Sequence, residues 1–154
     1  GVMVLAMDET SGRVVGYVLG TLNSGRLYRD FFAKKLPAAL ICFLPRLLSF
    51  RRMKKAIETL FYPAKKQPEL PDAELLDLAV DSAYHGTGAA GELFYNLADE
   101  FNKKGITSFK IPTAESLTRA HRFYEKMGAE IAGSFQLHPG EETIVYVYSQ
   151  KKSV

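Results

Sequence analysis

Residues 74–111 constrain the fold more than any other stretch of the chain. Glu74 to Asp81 (ELLDLAVD) reads as a strand, and its odd–even pattern puts Glu74, Leu76, Leu78 and Val80 on one face. Tyr84 to Gly91 is a glycine-containing loop. Leu93, Leu97 and Phe101 then recur at helical spacing, in a helix that ends at Gly105. Ile106 to Ile111 is another strand, ended by Pro112. Strand, helix and strand in such close succession call for a sheet with the helix packed on it.

The flanks extend that sheet. Residues 2–7 (VMVLAM) and 13–22 (RVVGYVLGTL) read as an antiparallel hairpin joined at DETSG, with Asn23-Ser24-Gly25 closing it. Ser116 to Met127 is a helix with Leu117, Ala120, Phe123, Tyr124 and Met127 on one face, stopped by Gly128. Two strands, 129–137 and 143–150, meet at HPGEE. The expected fold class is α/β, with helices packed on one mixed (α+β) sheet. At 154 residues, 47% apolar and 24% charged, the chain forms a single domain, and disordered, collagenous and coiled-coil readings are excluded.

One cysteine, Cys42, rules out an internal disulfide and a zinc site built on several thiolates. It reads as buried packing and fits a reducing compartment. The three histidines show no ligand spacing, so no metal is expected. No secretory signal leads the chain, and Leu36 to Pro45 is too short to span a bilayer. A cytoplasmic location is the expectation. Gly1 is not an initiator Met, which points to a fragment or a processed chain.

Charge is unevenly spread. Residues 26–67 hold eleven cations against Asp30 and Glu58, a balance of +9 that leaves −6 for the remainder. This marks a basic helical insert, 26–67, within the domain of 1–154. A first helix runs from Tyr28 to Leu36. A second starts at Pro45, with Phe50, Met53, Ile57 and Leu60 as its apolar stripe. The insert reads as a lid or a homo-oligomer contact. A cationic amphipathic helix on a membrane surface is the rival. Nucleic acid is not expected as a partner, because the aromatic residues lie in the apolar stripe, away from the cations.

The loop carries the chemistry. His85-Gly86-Thr87-Gly88-Ala89-Ala90 joins a strand directly to a helix. Bare backbone and the unpaired N–H groups of a helix start suit a pyrophosphate. A tight turn without a ligand is the other reading that these residues allow. GTGAAG matches the spacing G-x-G-x-x-G, but the repeated strand–helix units of a dinucleotide fold are absent, and no Walker loop is present.

Three motifs together resemble the GNAT N-acetyltransferase superfamily. The family's phosphate loop has Gln or Arg, then Gly three residues on, then Gly or Ala; here it reads His85-x-x-Gly88-x-Ala90. Leu78-Ala79-Val80 resembles the family's L-x-V strand. Ala120-x-x-Phe123-Tyr124-Glu125-Lys126-Met127-Gly128-Ala129 is similar to its A-x-x-F-Y-x-K-x-G-F helix. The resemblance covers Val2 to Gln150 apart from the insert. It departs at His85, and at Leu117, where many members carry an Asn. It also implies that the family's first strand and two helices are missing, or that the insert fills their place.

The resemblance implies acetyl-coenzyme A as acyl donor and an amine, of a small molecule or a protein, as acceptor. Leu78, Ala79, Val80, His85, Gly86, Thr87, Gly88, Ala89, Ala90, Leu117 and Tyr124 are the implied cofactor contacts. Tyr124 matches the Tyr that gives a proton to the departing thiolate, a role a phenol suits because it stays protonated at neutral pH. By its spacing alone it reads as a core aromatic beside Phe123. Glu74, in Ala73-Glu74-x-x-x-Leu78-Ala79-Val80, resembles the general base of the histone-acetyltransferase branch; a solvated strand residue is the alternative. Asp77 and Asp81 read as solvent or cap residues, His121 as packing or surface, and His138 as part of a polar turn. The expectation is direct acetyl transfer to an amine. The alternative is a non-catalytic GNAT-like domain that binds acyl-coenzyme A or a partner protein.

Overall fold

A computed structural model describes residues 1–30, 33–34, 70–138 and 141–150. The second helix expected in the insert, Cys42 and the centre of the HPGEE turn lie outside the described residues. Six strands form one sheet: β1 (Val2–Met7), β2 (Val14–Thr21), β3 (Glu74–Val80), β4 (Ser108–Ala114), β5 (Glu130–His138) and β6 (Glu141–Ser149). Their order is β1-β2-β3-β4-β6-β5. Neighbours are antiparallel except β3 and β4, which run parallel around the crossover helix α1 (Ala89–Asn102). Helix α2 (Thr118–Lys126) follows β4. Among the described residues no helix is long and apolar enough to cross a membrane.

The expected order of elements holds, and local differences have physical causes. Asn23 does not close the hairpin. Its Oδ1 accepts the Arg26 N–H at 2.7 Å, so it caps a helical stretch over residues 24–30. Helix α1 stops at Asn102, three residues before Gly105, whose φ of +76° suits the turn that follows. Pro112 does not end β4: it pairs with Val145 in mid-strand. Lys110 donates its N–H to Ala73, which leads into β3, so by the two-residue period the Pro112 nitrogen also faces β3. There β3 has already moved away, and the missing N–H costs no ladder bond.

Buried residues of α1 (Leu93, Phe94, Leu97 and Phe101) pack on Val18, Leu75, Phe109, Ile111 and Tyr146 of the sheet. The Phe94 ring lies 5.0 Å from Tyr148 and 5.7 Å from Phe109, each a pair worth about 1 kcal/mol beyond its buried area. Gly20 is required by this packing: a Cβ there would lie 2.6 Å from Phe101 Cζ and 2.8 Å from Leu97 Cδ1.

One irregularity reorganises β3. Gly20 pairs with Leu75 but Leu19 pairs with Asp77, so Leu76 is the extra residue of a bulge. Gly16, Val18 and Gly20 line the α1 side of β2, and their partners Val80, Leu78 and Leu75 share that side. The alternation is therefore broken. Glu74 lies on the opposite face from Leu78 and Val80, with Asp77 and Ala79, contrary to the simple odd–even reading.

Candidate active site where two parallel strands separate

The parallel pair β3–β4 is held at one register point, Glu74 opposite Lys110. Beyond it the strands diverge and leave a wedge between them. Residues of β3 that face α1 turn their backbone groups towards β4, as Ala73 does in accepting from Lys110 at 2.9 Å. After the bulge, these are Leu78 and Val80. Their peptide groups thus point into the wedge, unpaired by β4. Ala79 faces the other way, and its backbone belongs to the β2 ladder opposite Tyr17.

At the open end of the wedge, β3 runs into a short 3-10 turn, Ser82–Tyr84. Asp81 caps this turn through the Ala83 N–H at 2.9 Å. Two bonds brace the loop from outside its glycines. Thr87 Oγ1 donates to the Tyr84 carbonyl at 2.8 Å, and the Tyr84 hydroxyl donates to Asp8 Oδ2 at 2.7 Å. Asp8 belongs to the β1–β2 turn, so the tip of the hairpin anchors the loop. Hydrogen bonds from Tyr84, Ser11 and the Thr10 amide hold the Asp8 carboxyl down at about 2.

Gly86 and Gly88 have φ of +83° and +97°, and Cβ atoms at either would meet nothing within 4 Å. The left-handed backbone explains these glycines, and the space above them is open. Gly88 caps α1 without a side-chain bond, and the first intrahelical bond runs from the Glu92 N–H to the Gly88 carbonyl. The N–H groups of Ala90 and Gly91 are therefore left for a ligand. His85 folds back on the strand, with Nε2 3.1 Å from the Val80 carbonyl. A carbonyl only accepts, so Nε2 carries the proton, and Nδ1 can donate to a phosphate only when the ring is cationic.

Tyr124, on α2, is buried, with its ring against Phe94, Phe123 and Tyr146. Burial, and then the negative charge of Asp77, push its hydroxyl up to about 12. Leu117 precedes α2 as its N-cap and is exposed. His121 is a structural bridge: Nδ1 lies 2.9 Å from the Tyr146 hydroxyl, and Nε2 lies 3.1 Å from the Ala114 carbonyl.

Glu74 sits at the closed end of the wedge and is only 6% exposed. Its Oε2 lies 3.8 Å from Lys110 Nζ, and its Oε1 accepts from the Tyr28 hydroxyl at 3.4 Å. Burial raises its pKa, opposed by Ser24, Lys110 and Tyr28. Sequence reasoning passed over its partners Lys110 and Tyr28, and read Asp77, on the same face, as a solvent or cap residue. Nothing in a single sequence marks the bulge that turns Asp77 towards Glu74.

A model of the acetyltransferase (GNAT) family matches residues 2–129. The chain belongs to that family. No curated protein matches it in sequence. Among solved structures, a candidate streptothricin acetyltransferase from Bacillus anthracis str. Ames, in complex with acetyl coenzyme A, is 14% identical with a TM-score of 0.61; the match covers 97% of this chain and 62% of that one. An N-acetyltransferase from Staphylococcus aureus Mu50 is 16% identical with a TM-score of 0.61, over 95% of this chain and 69% of that one. An aminoglycoside 6'-N-acetyltransferase complexed with coenzyme A is 14% identical with a TM-score of 0.56, over 96% and 71%. At such identities the likeness is one of fold. The chain spans less than two thirds of the first of these structures. The GNAT fold here thus comprises the hairpin, the wedge, the glycine loop and α2.

Proposed function

We propose that this chain carries the acyl-coenzyme A site of an N-acetyltransferase that moves an acetyl group to an amine. The observation behind this reading is the wedge. It offers the unpaired peptide groups of Leu78 and the Val80 N–H, a bare glycine loop at one end, and a buried phenol and a buried carboxylate at its sides. The residues fit acetyl-coenzyme A. Leu78 and the Val80 N–H can pair with its amide-containing arm as a strand would, and the free N–H groups of Ala90 and Gly91, beside the bare backbone of Gly86 and Gly88, can receive its pyrophosphate.

When bound, acetyl-coenzyme A supplies an activated thioester. Glu74 takes the proton that an ammonium acceptor must lose before its nitrogen can attack, and its raised pKa brings it closer to that task. The new C–N bond replaces the C–S bond, whose electron pair leaves on sulfur. Tyr124 presents its O–H to that sulfur. Lys110 holds Glu74 in place and limits the rise in its pKa. In this reading residues 1–154 act as one domain with the basic stretch 26–67 inserted, and no metal takes part.

A thermal-shift titration with acetyl-coenzyme A, followed by thiol release with a panel of amines, tests the proposal. Stabilisation and thiol release together support it. Stabilisation without release from any amine points to a binding domain, and no stabilisation at millimolar ligand refutes both readings.

A further inference from the structure

Asp77 is the acid that the wedge leaves unanswered. The bulge at Leu76 brings it onto the face of Glu74, on the side away from α1. Glu74 has Lys110 as its cation, whereas Asp77 is exposed and forms no ion pair among the described residues. The Tyr17 hydroxyl donates to Asp77 Oδ2 at 2.7 Å, which fixes the carboxylate and leaves Oδ1 for a ligand. Two residues of β3, Leu75 and the looped-out Leu76, lie between the two acids, a span of about 10 Å or less. The carboxylate is also close enough to Tyr124 for its charge to help hold the phenol proton. An acceptor reaching the wedge from this face therefore meets a paired acid at the closed end and an unpaired one at the mouth.

We infer that Asp77 determines specificity by holding a second positive charge on the acceptor, so that the preferred acceptors are dicationic amines. This inference rests on the transferase reading above. It gives Asp77 the role of a contact to the acceptor and no proton transfer. A rival follows from the basic insert: if its cations govern the approach, the preferred acceptor carries a negative charge.

The test uses the full chain with coenzyme A present, and three amines of similar length: 1-butylamine, 1,4-diaminobutane and 4-aminobutyrate. Calorimetry reads binding without requiring turnover. The diamine is expected to bind about two- to fivefold more tightly than butylamine, the range that an exposed charge pair reaches. The preference should shrink as salt is raised. Asp77→Asn should abolish it, and Asp77→Glu should restore part of it. Equal affinity for the diamine and butylamine overturns the inference, as does tighter binding of 4-aminobutyrate or a diamine preference that survives in Asp77→Asn. The wild-type comparison holds even if a variant folds poorly. Thiol release with butylamine but no diamine preference sinks this inference alone. A diamine preference without thiol release from any amine supports the acceptor contact and sinks the transferase reading.

Discussion

Replacing Tyr124 by Phe removes one oxygen from a buried ring and leaves the ring contacts in place. Among the described residues no hydrogen bond to that hydroxyl is found, so none is lost and stability should change by less than about 1 kcal/mol. The effect on rate follows from proton affinities. The hydroxyl is pushed up to about 12. A departing thiolate has a pKa of about 8.5, so complete transfer from the phenol is uphill by about 5 kcal/mol, at about 1.4 kcal/mol per pH unit. In the proposed reaction the phenol would therefore stabilise the developing thiolate as a hydrogen-bond donor, with the sulfur's final proton coming from elsewhere. A charge-assisted bond of this kind is worth about 1.5–3 kcal/mol, so kcat should fall by about ten- to 150-fold. The KM for acetyl-coenzyme A should barely move, because the bond strengthens only as the sulfur takes on charge. The assay is thiol release under single-turnover conditions, with thermal melting in parallel. An unchanged single-turnover rate would refute the role. A loss near 10⁴-fold would instead indicate full proton transfer and a pKa well below 12 in the bound state.

Glu74→Gln should remove the acid limb of the pH–rate profile; in the unaltered chain that limb lies above the ordinary carboxylate range, because the folded pKa is raised from 4.5. By the same shift the unaltered chain should lose stability as pH rises from 4.5 through the folded pKa, a slope absent from the Gln variant and read by denaturant melts across that window. Asp8→Asn should weaken coenzyme A binding a fewfold by loosening Tyr84 and the loop behind it, measured by calorimetry; as its pKa is lowered from 3.8 to about 2, the contact persists above pH 3.8 and is lost as pH falls through about 2. Gly91→Ala places a Cβ 3.8 Å from Met127 Sδ, an ordinary contact, and should stabilise α1 by about 0.5–1 kcal/mol. If Gly91 serves the close approach of a phosphate, the same variant binds coenzyme A more weakly while melting at a higher temperature.

Much of the fold can be read from residue patterns. Leu93, Leu97 and Phe101 mark α1, and all three are buried under the sheet. Gly86 and Gly88 mark a backbone that only glycine adopts readily, which the positive φ values bear out. The failures within β3 and β4 share one cause: each depends on pairing between distant strands. Pro112 reads as a strand terminator, and only the departure of β3 lets it stay inside β4. The alternation in ELLDLAVD puts Glu74 with Leu78, and only the register with Gly20 and Leu19 reveals the extra residue that separates them. Asp77 passes for a solvent residue for the same reason. Lys110 carries no local sign that it will face Glu74 across two parallel strands.

The central claim is that unpaired peptide groups of β3 and the glycine loop receive acyl-coenzyme A. An amide-resolved NMR titration with coenzyme A tests it most directly. The account predicts saturable shifts at Leu78 and Val80 in the wedge and from Gly86 to Ala90 in the loop, with Ala79, bonded into the β2 ladder, moving much less. Binding that shifts amides elsewhere and leaves Leu78, Val80 and the loop unmoved would contradict it.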